Sequence, residues 1–381
     1  MIVRLAIVAC GVACSSPPKP PLEPDDPGIP VLAFDLVEST PVETTLDTDL
    51  PNADQVWLEL IGSAKTSLDF AEFYASNSPG SKLEPIVRAL EDAMKRGVKV
   101  RFLADKGFVK TYPDTLERLG KAGATVRPIE FGTGALHAKY FVVDGRESYF
   151  GSQNFDYRSL EHNLELGVHV RDRTVSEGLE AIFAMDWARA GGESVAPRNL
   201  VASRLVASPK DQLPPGVTWD LPELIGLVDR AKTRVRLQAL SYLAGDWTEL
   251  EDALVRAAGR GVSIELMVSD WAKAPKTIGG LQKLAQTPNI AIRLVTIPAW
   301  SGGFIPYARV IHAKLLVADG EYGWVGTGNF ERGYFYADRN VGVRMDHLFA
   351  NQLDKFFEKT WSSRYATPID PAATYVAPKT H

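Results

Sequence analysis

The chain has 381 residues, enough for one large core or two ordinary ones, and its 45% apolar and 23% charged content excludes a disordered protein. A net charge of −5 and a pI near 5.8 exclude whole-molecule attraction to polyanions, so any grip on a phosphate has to be local. Both cysteines, Cys10 and Cys14, precede the body of the chain, which excludes a disulfide or a thiolate metal site within that body.

Taken in order, MIVRLAIVACGVACSSPPKP joins one Arg to a short apolar run and small residues around a cysteine, the make-up of a secretion signal. Residues 1–14 are expected to be a leader, with Cys14 as the lipidated residue of a bacterial lipoprotein; an ordinary cleaved signal is the alternative. This places the protein in the cell envelope, exported and tethered to a membrane by a lipid anchor. Residues 15–30, rich in Pro and acidic groups, form an extended tether. A first strand is expected over 31–40 and a short helix over 57–64. A buried strand follows at 67–75, an amphipathic helix at 83–97 ended by Gly97, and strands at 98–105 and 124–131 around a helix at 114–122. Further strands are expected at 141–144, 147–152 and 165–170, then a helix at 175–190.

The order then restarts. AKTRVRLQALSY (231–242) parallels AKTSLDFAEFY (64–74), and the closing helix carries Trp361 where the first half has Trp187. This is an internal duplication and not a short-period solenoid. The expected units are a first half over 31–200, a second half over 201–370 and a tail over 371–381, with 191–220 as the connection. Alternating strands and helices imply an α/β fold: two pseudo-repeated α/β sandwich halves with the active site at their interface.

The feature that carries chemistry is a motif present twice. His137–Asn154 reads HAKYFVVDGRESYFGSQN, and His312–Asn329, 175 positions on, reads HAKLLVADGEYGWVGTGN. Each holds His-x-Lys, then Asp, then Gly-(Ser/Thr)-x-Asn. On an extended segment His and Lys point to one face and Ala138 or Ala313 to the other. Gly151 and Gly326 suit a tight turn or bulge, and the Gly-Ser-x-Asn turn is expected to close the hairpin. Together the two copies supply two imidazoles, two ammonium groups and two amides. One neutral imidazole can attack phosphorus while the other protonates the leaving oxygen, and the Lys and Asn donors hold the equatorial oxygens. Two ammonium groups would supply the charge stabilisation that a metal supplies elsewhere, so neither metal nor cofactor is expected. A lone His-x-Lys-x4-Asp has about even odds of being a surface hairpin; two copies at one spacing reduce that to roughly one in twenty.

These paired motifs resemble those of the phospholipase D superfamily, over nearly all of the chain after the leader. The resemblance implies that fold, a covalent phosphohistidine, and a catalytic set of His137, Lys139, Asn154, His312, Lys314 and Asn329. It implies structural or orienting roles for Asp144 and Asp319, with Ser152 and Thr327 as hydrogen-bonding motif residues. Glu165, in NLELGV, resembles the family's carboxylate that hydrogen-bonds a catalytic imidazole, whereas the equivalent position in the second half is Asn340. On that asymmetry Glu165 is expected to orient His137, making it the nucleophile and His312 the acid/base. LVESTP, SLDFAEFYAS and IPYARVIHAKLLV narrow the resemblance to a branch holding lysosomal 5′ exonucleases and poxvirus envelope phospholipase-like proteins. The expected substrate is therefore a phosphodiester in single-stranded nucleic-acid ends. Phospholipid headgroup hydrolysis is the alternative, and a non-catalytic phosphate-binding envelope protein the third reading. The duplicated site needs no dimer, so a monomer is expected. Asp69 and Glu72 are candidate pocket carboxylates, and Arg158, Arg309 and Arg332 candidate phosphate contacts. Phe304, Tyr307, Tyr334, Phe335 and Tyr336 are candidate stacking surfaces, each twice as often core or rim.

Overall fold

The structure, a computed structural model, describes residues 33–196 and 198–381. The expected leader and tether, with Cys14, lie outside the described residues. Two mixed sheets carry the duplication. From one edge, the first runs Phe34–Ser39, Glu165–Val170, Glu147–Gly151, Lys139–Val143, Ser67–Glu72, Lys99–Asp105 and Thr125–Ile129. The second repeats that order with Leu205–Ser208, Asn340–Asp346, Tyr322–Gly326, Leu315–Ala318, Arg234–Ala239, Ser263–Ser269 and Ile290–Val295, and adds Thr218–Trp219 and Ala366–Pro368 at its edges. In each sheet the last two pairings named are parallel and the four before them antiparallel. Residues 191–220 are more than a connection. They contain Leu205–Ser208, the counterpart of Phe34–Ser39, which was not expected because LVAS is short and flanked by polar residues.

Strands such as KYFVV at Lys139–Val143 are buried on both faces, which explains their continuous apolar sequence. Tyr140 and Val142 face a central cluster, while Phe141 and Val143 face an outer one. The central cluster is shared by both sheets. It takes Ala138 from the first motif and Ala313 and Leu315 from the second, plus Phe183 of helix Arg173–Ala190 and Phe356 of helix His347–Trp361. Each outer cluster is closed by helices of one half: Ala53–Ser63 and Leu83–Lys95 on the first sheet, Asp220–Arg230 and Glu249–Gly259 on the second. The repeat extends to side chains. Arg127 lies 4.5 Å over the Trp187 ring and Arg293 4.5 Å over that of Trp361. Among the described residues no helix is long and apolar enough to cross a membrane.

The motif aspartates sit at the far end of their strands from the histidines. Asp144 accepts from the backbone N–H groups of Lys65, Thr66 and Ser67 and from the Thr66 hydroxyl at 2.7–2.9 Å. Asp319 does the same with Lys232, Thr233 and Arg234 at 2.7–3.0 Å. Burial raises the Asp319 pKa, but the backbone donors outweigh it and bring the carboxyl down to about 2. Asp144-Gly145 and Asp319-Gly320, all at positive φ, close the two hairpins, so the Gly-Ser-x-Asn segment does not. Gly151 and Gly326 lack positive φ and are required by space: a Cβ on Gly151 would lie 2.6 Å from Gly167 Cα, and one on Gly326 2.2 Å from the Trp324 ring.

The halves are stitched along one seam. His137 N–H donates to Arg339 O (3.1 Å), and His312 N–H donates to Leu164 O (2.8 Å). Arg339 is fully buried, paired through Nε (2.7 Å) and Nη2 (2.8 Å) with Asp186 of the first half, while its remaining donors reach the carbonyls of Ser208 and Gln212. Removing one partner strands a buried charge. Asp186→Ala is expected to lose about 3–5 kcal/mol of unfolding free energy in urea titration, whereas a loss below ~1 kcal/mol would show that the pair does not hold the seam.

Candidate active site

The seam determines what lies opposite what. Each histidine ends a short extended run just before a sheet strand, and the backbone bonds to Arg339 and Leu164 set the two runs side by side. His137 and His312 are 7% and 8% exposed, and with Asn154 and Asn329 they line one cavity of about 460 Å³. Asn154 Nδ2 lies 3.3 Å from the Tyr74 hydroxyl; Oδ1 of Asn154 and of Asn329 has no partner among the described residues. Lys139 and Lys314 are buried behind the histidines, each Nζ donating to the carbonyl of its own motif histidine. Burial and the neighbouring Lys314 push the Lys139 pKa far below its ordinary value, against the pull of Glu72 and Glu165. Burial brings Lys314 down to about 7 despite Glu165.

The orienting residues correct the sequence expectation. Glu165 does not bind His137. Its Oε2 lies 2.7 Å from Nδ1 of His312, the histidine of the other half, and His137 Nδ1 lies 3.0 Å from Oδ1 of Asn340. The expectation matched each residue to the histidine in its own repeat, whereas the seam crosses them. Asn340 also fixes a tautomer. Its Nδ2 donates to Tyr334 O (2.9 Å), so Oδ1 faces His137 and accepts from Nδ1–H and from the Thr327 hydroxyl at 2.9 Å. Ser152 holds the corresponding place beside Glu165, exchanging hydrogen bonds with the Leu166 backbone. Nε2 of each histidine thus remains as the ring nitrogen without a protein partner among the described residues.

The two rings are electrostatically unequal. Burial first, then Lys139 and Lys314, push the His137 pKa well below 6.5. Burial also lowers His312, but the Glu165 carboxylate opposes it directly. Glu165, although fully buried, stays below its ordinary pKa because His312 and Lys314 outweigh burial. His137 is therefore the more firmly neutral base and His312 the ring more ready to hold a proton.

Several candidates fall elsewhere. Asp69 forms a bidentate pair with Arg101, and Arg158 one with Asp156. Arg309 donates to the carbonyls of Pro298 and Val42, and Arg332 lies over Tyr336. Glu72 is Lys139's cross-strand neighbour; burial keeps its pKa high and its Oε2 has no partner among the described residues. Phe335 is core, while Phe304 and Tyr336 are outside the cavity lining. Tyr307 and Tyr334 do line it, with Phe73, Tyr74, Phe108, Tyr112, Asn163 and Trp271, which the motifs did not flag. The Phe-Tyr pair directly after strand Ser67–Glu72 was the available signal for the first two. Among the described residues no three His, Cys, Asp or Glu side chains group closely enough to hold a metal ion.

Comparison with known proteins places the chain in a family and a fold. A family model described as "Cardiolipin synthase, PLD-like domain" matches residues 57–187 and 224–361. The chain is 30% identical to phospholipase D Z of Dictyostelium discoideum, over 88% of this chain and 91% of that protein. It is 29% identical to 5'-3' exonuclease PLD3 of Bos taurus, over 90% and 81%. Among solved structures, phosphatidylserine synthase of Haemophilus influenzae superposes at a TM-score of 0.62 with 11% identity, covering 83% of this chain and 85% of that one. Polyphosphate kinase of Porphyromonas gingivalis gives a TM-score of 0.62 with 15% identity, covering 90% and 49%; both likenesses are of fold.

The crossed pairing makes a directional prediction. In NMR titrations, Glu165→Gln lowers the pKa of His312 and Asn340→Asp raises that of His137. An effect of Glu165→Gln on His137 alone would restore the pairing expected within one repeat.

Proposed function

The chain belongs to the phospholipase D superfamily, and on that premise we propose that it cleaves phosphodiesters through a covalent phosphohistidine on His137. The observation that carries this reading is the pair of histidines in one cavity, each held at Nδ1 by the opposite half, one beside a neutral amide and one beside a carboxylate. His137, held as the Nδ1–H tautomer, presents the Nε2 lone pair to phosphorus. As that N–P bond forms, the P–O bond to the leaving group breaks and the leaving oxygen takes the Nε2 proton of His312. Water then attacks phosphorus, gives its proton back to His312, and the N–P bond breaks. Asn154 and Asn329 from the cavity wall, with Lys139 and Lys314 behind, oppose the charge on the equatorial oxygens.

Glu165 serves this assignment better from its observed position. A carboxylate at Nδ1 stabilises the imidazolium needed in the acid, while a neutral amide leaves the nucleophile uncharged. We therefore keep His137 as the proposed nucleophile, for a different reason. The branch of relatives named as 5'-3' exonucleases favours nucleic-acid ends as substrate. Phospholipid is favoured by the phospholipase D Z match over 91% of that protein's length. We also retain Cys14 lipidation in the proposal; Cys14→Ser should move the protein from the membrane fraction to the soluble one, and an unchanged partition would remove the anchor.

Wild type is expected to hydrolyse a small aryl phosphodiester in excess EDTA, and His137→Ala to lose at least about 10³-fold. Activity abolished by EDTA would end the metal-free mechanism. Oligonucleotides and phosphatidylglycerol vesicles, assayed side by side, separate the two substrate classes.

The acid role has its own signature. His312→Ala should lose on the order of 10²-fold or more on an alkyl leaving group, and much less in the phosphoenzyme burst with p-nitrophenolate, which leaves without a proton. The profile of kcat/KM should be acidic. It rises as His137 loses its proton well below 6.5, then falls as His312, itself below 6.5, and Lys314, near 7, lose theirs. An optimum above pH 8 would contradict the assignment.

A further inference from the structure

The cavity has two aromatic walls that the phosphodiester chemistry does not use. They come from equivalent places in the repeat. Strand Lys99–Asp105 leads into helix Lys106–Thr111, which presents Phe108, with Tyr112 just after it. Strand Ser263–Ser269 leads into the turn Asp270–Lys273, which presents Trp271. On the first side, Phe108 lies 4.1 Å from Phe73 and 5.5 Å from Tyr74, and Tyr74 lies 5.1 Å from Tyr112, so four rings make one continuous surface. Phe73 in turn lies 5.0 Å from the His137 ring. On the other side, Trp271 meets Tyr307 edge-on at 6.4 Å.

The first wall is anchored. The Tyr74 hydroxyl accepts from Asn154 Nδ2 at 3.3 Å, and Asp156 is locked by Arg158, whose guanidinium lies 5.9 Å from the Tyr74 ring and 5.4 Å from the Tyr112 ring. None of Phe73, Tyr74, Phe108, Tyr112 and Trp271 is fully buried, although all five line the cavity. Phe70 and Phe102, by contrast, lie wholly within a core cluster. Half-open rings beside phosphate donors suit a planar partner that carries a phosphate.

We propose that these walls form a stacking subsite for one unpaired nucleobase of the strand being cleaved, which makes single-stranded nucleic acid the substrate class. The inference rests on the phosphodiesterase reading of the same cavity. A base flanked by rings gains its affinity from its π-faces, so any base fits, while a base stacked within a duplex has no free face to offer. The net charge of −5 agrees with recognition by local stacking in place of a broad basic groove.

The test compares a single-stranded oligonucleotide, the same oligonucleotide with an abasic site at the terminal position, and methyl p-nitrophenyl phosphate. Phe108→Ala and Trp271→Ala should each lower the ratio of kcat/KM for the oligonucleotide over that for the small diester by roughly 5- to 100-fold. The abasic substrate should lose a similar factor with wild type and little more with the variants, because base and ring are two ends of one contact. Equal losses on both substrates, or an abasic strand cleaved as well as the intact one, would overturn the subsite while leaving the phosphodiesterase standing. Ring dependence seen on phosphatidylglycerol and absent on oligonucleotides would assign the walls to lipid and also overturn it. Wild type inactive on all three substrates would bring down the phosphodiesterase reading and the subsite with it.

Discussion

The site depends on each imidazole being held by the half that did not supply it. Glu165 reaches His312 and Asn340 reaches His137, and the same crossing recurs in the backbone, where Leu164 receives His312 and Arg339 receives His137. Neither half alone contains an oriented histidine. The shared core of Ala138, Ala313 and the two long helices therefore reaches the cavity: it sets the register in which two distant segments meet.

Duplication supplies symmetric parts, and a few substitutions make them unequal. The clamps of Asp144 and Asp319, the arginine–tryptophan pairs and the strand order are nearly identical in the two halves. The differences concentrate at the chemistry. Glu165 opposes Asn340, and Glu72 beside Lys139 corresponds by strand register to Ala239. The proposed reaction, with one imidazole neutral and the other charged, calls for unequal electrostatics around similar geometry. Burial lowers the pKa of both histidines and both lysines, and at His312 the Glu165 carboxylate opposes it directly.

The motif residues also divide into two tasks that sequence spacing cannot separate. In each copy the histidine and asparagine line the cavity with the lysine buried behind the histidine, whereas the aspartate, only a few residues on, closes a hairpin and gathers backbone N–H groups at the other end of the strand. Conformation at Asp144 and Asp319, both with φ near 50–60°, explains why a residue tolerant of the left-handed region stands there.

The sequence by itself determined the duplication, the alternating α/β order, and the identity of the histidine, lysine and asparagine set, because these are local patterns repeated at one interval. It also singled out Glu165 as a carboxylate that hydrogen-bonds a motif histidine, with Ser152 and Thr327 beside it and its counterpart. Only the tertiary structure decided which histidine Glu165 serves, since hydrogen bonding between halves follows the packing of two sheets and not separation along the chain. The aromatic walls were legible only in part for the same reason: Tyr307 was a stacking candidate, while the rings it joins were not. Phe73, Phe108, Tyr112 and Trp271 share no motif, and they line one cavity only because the three strands they follow end there.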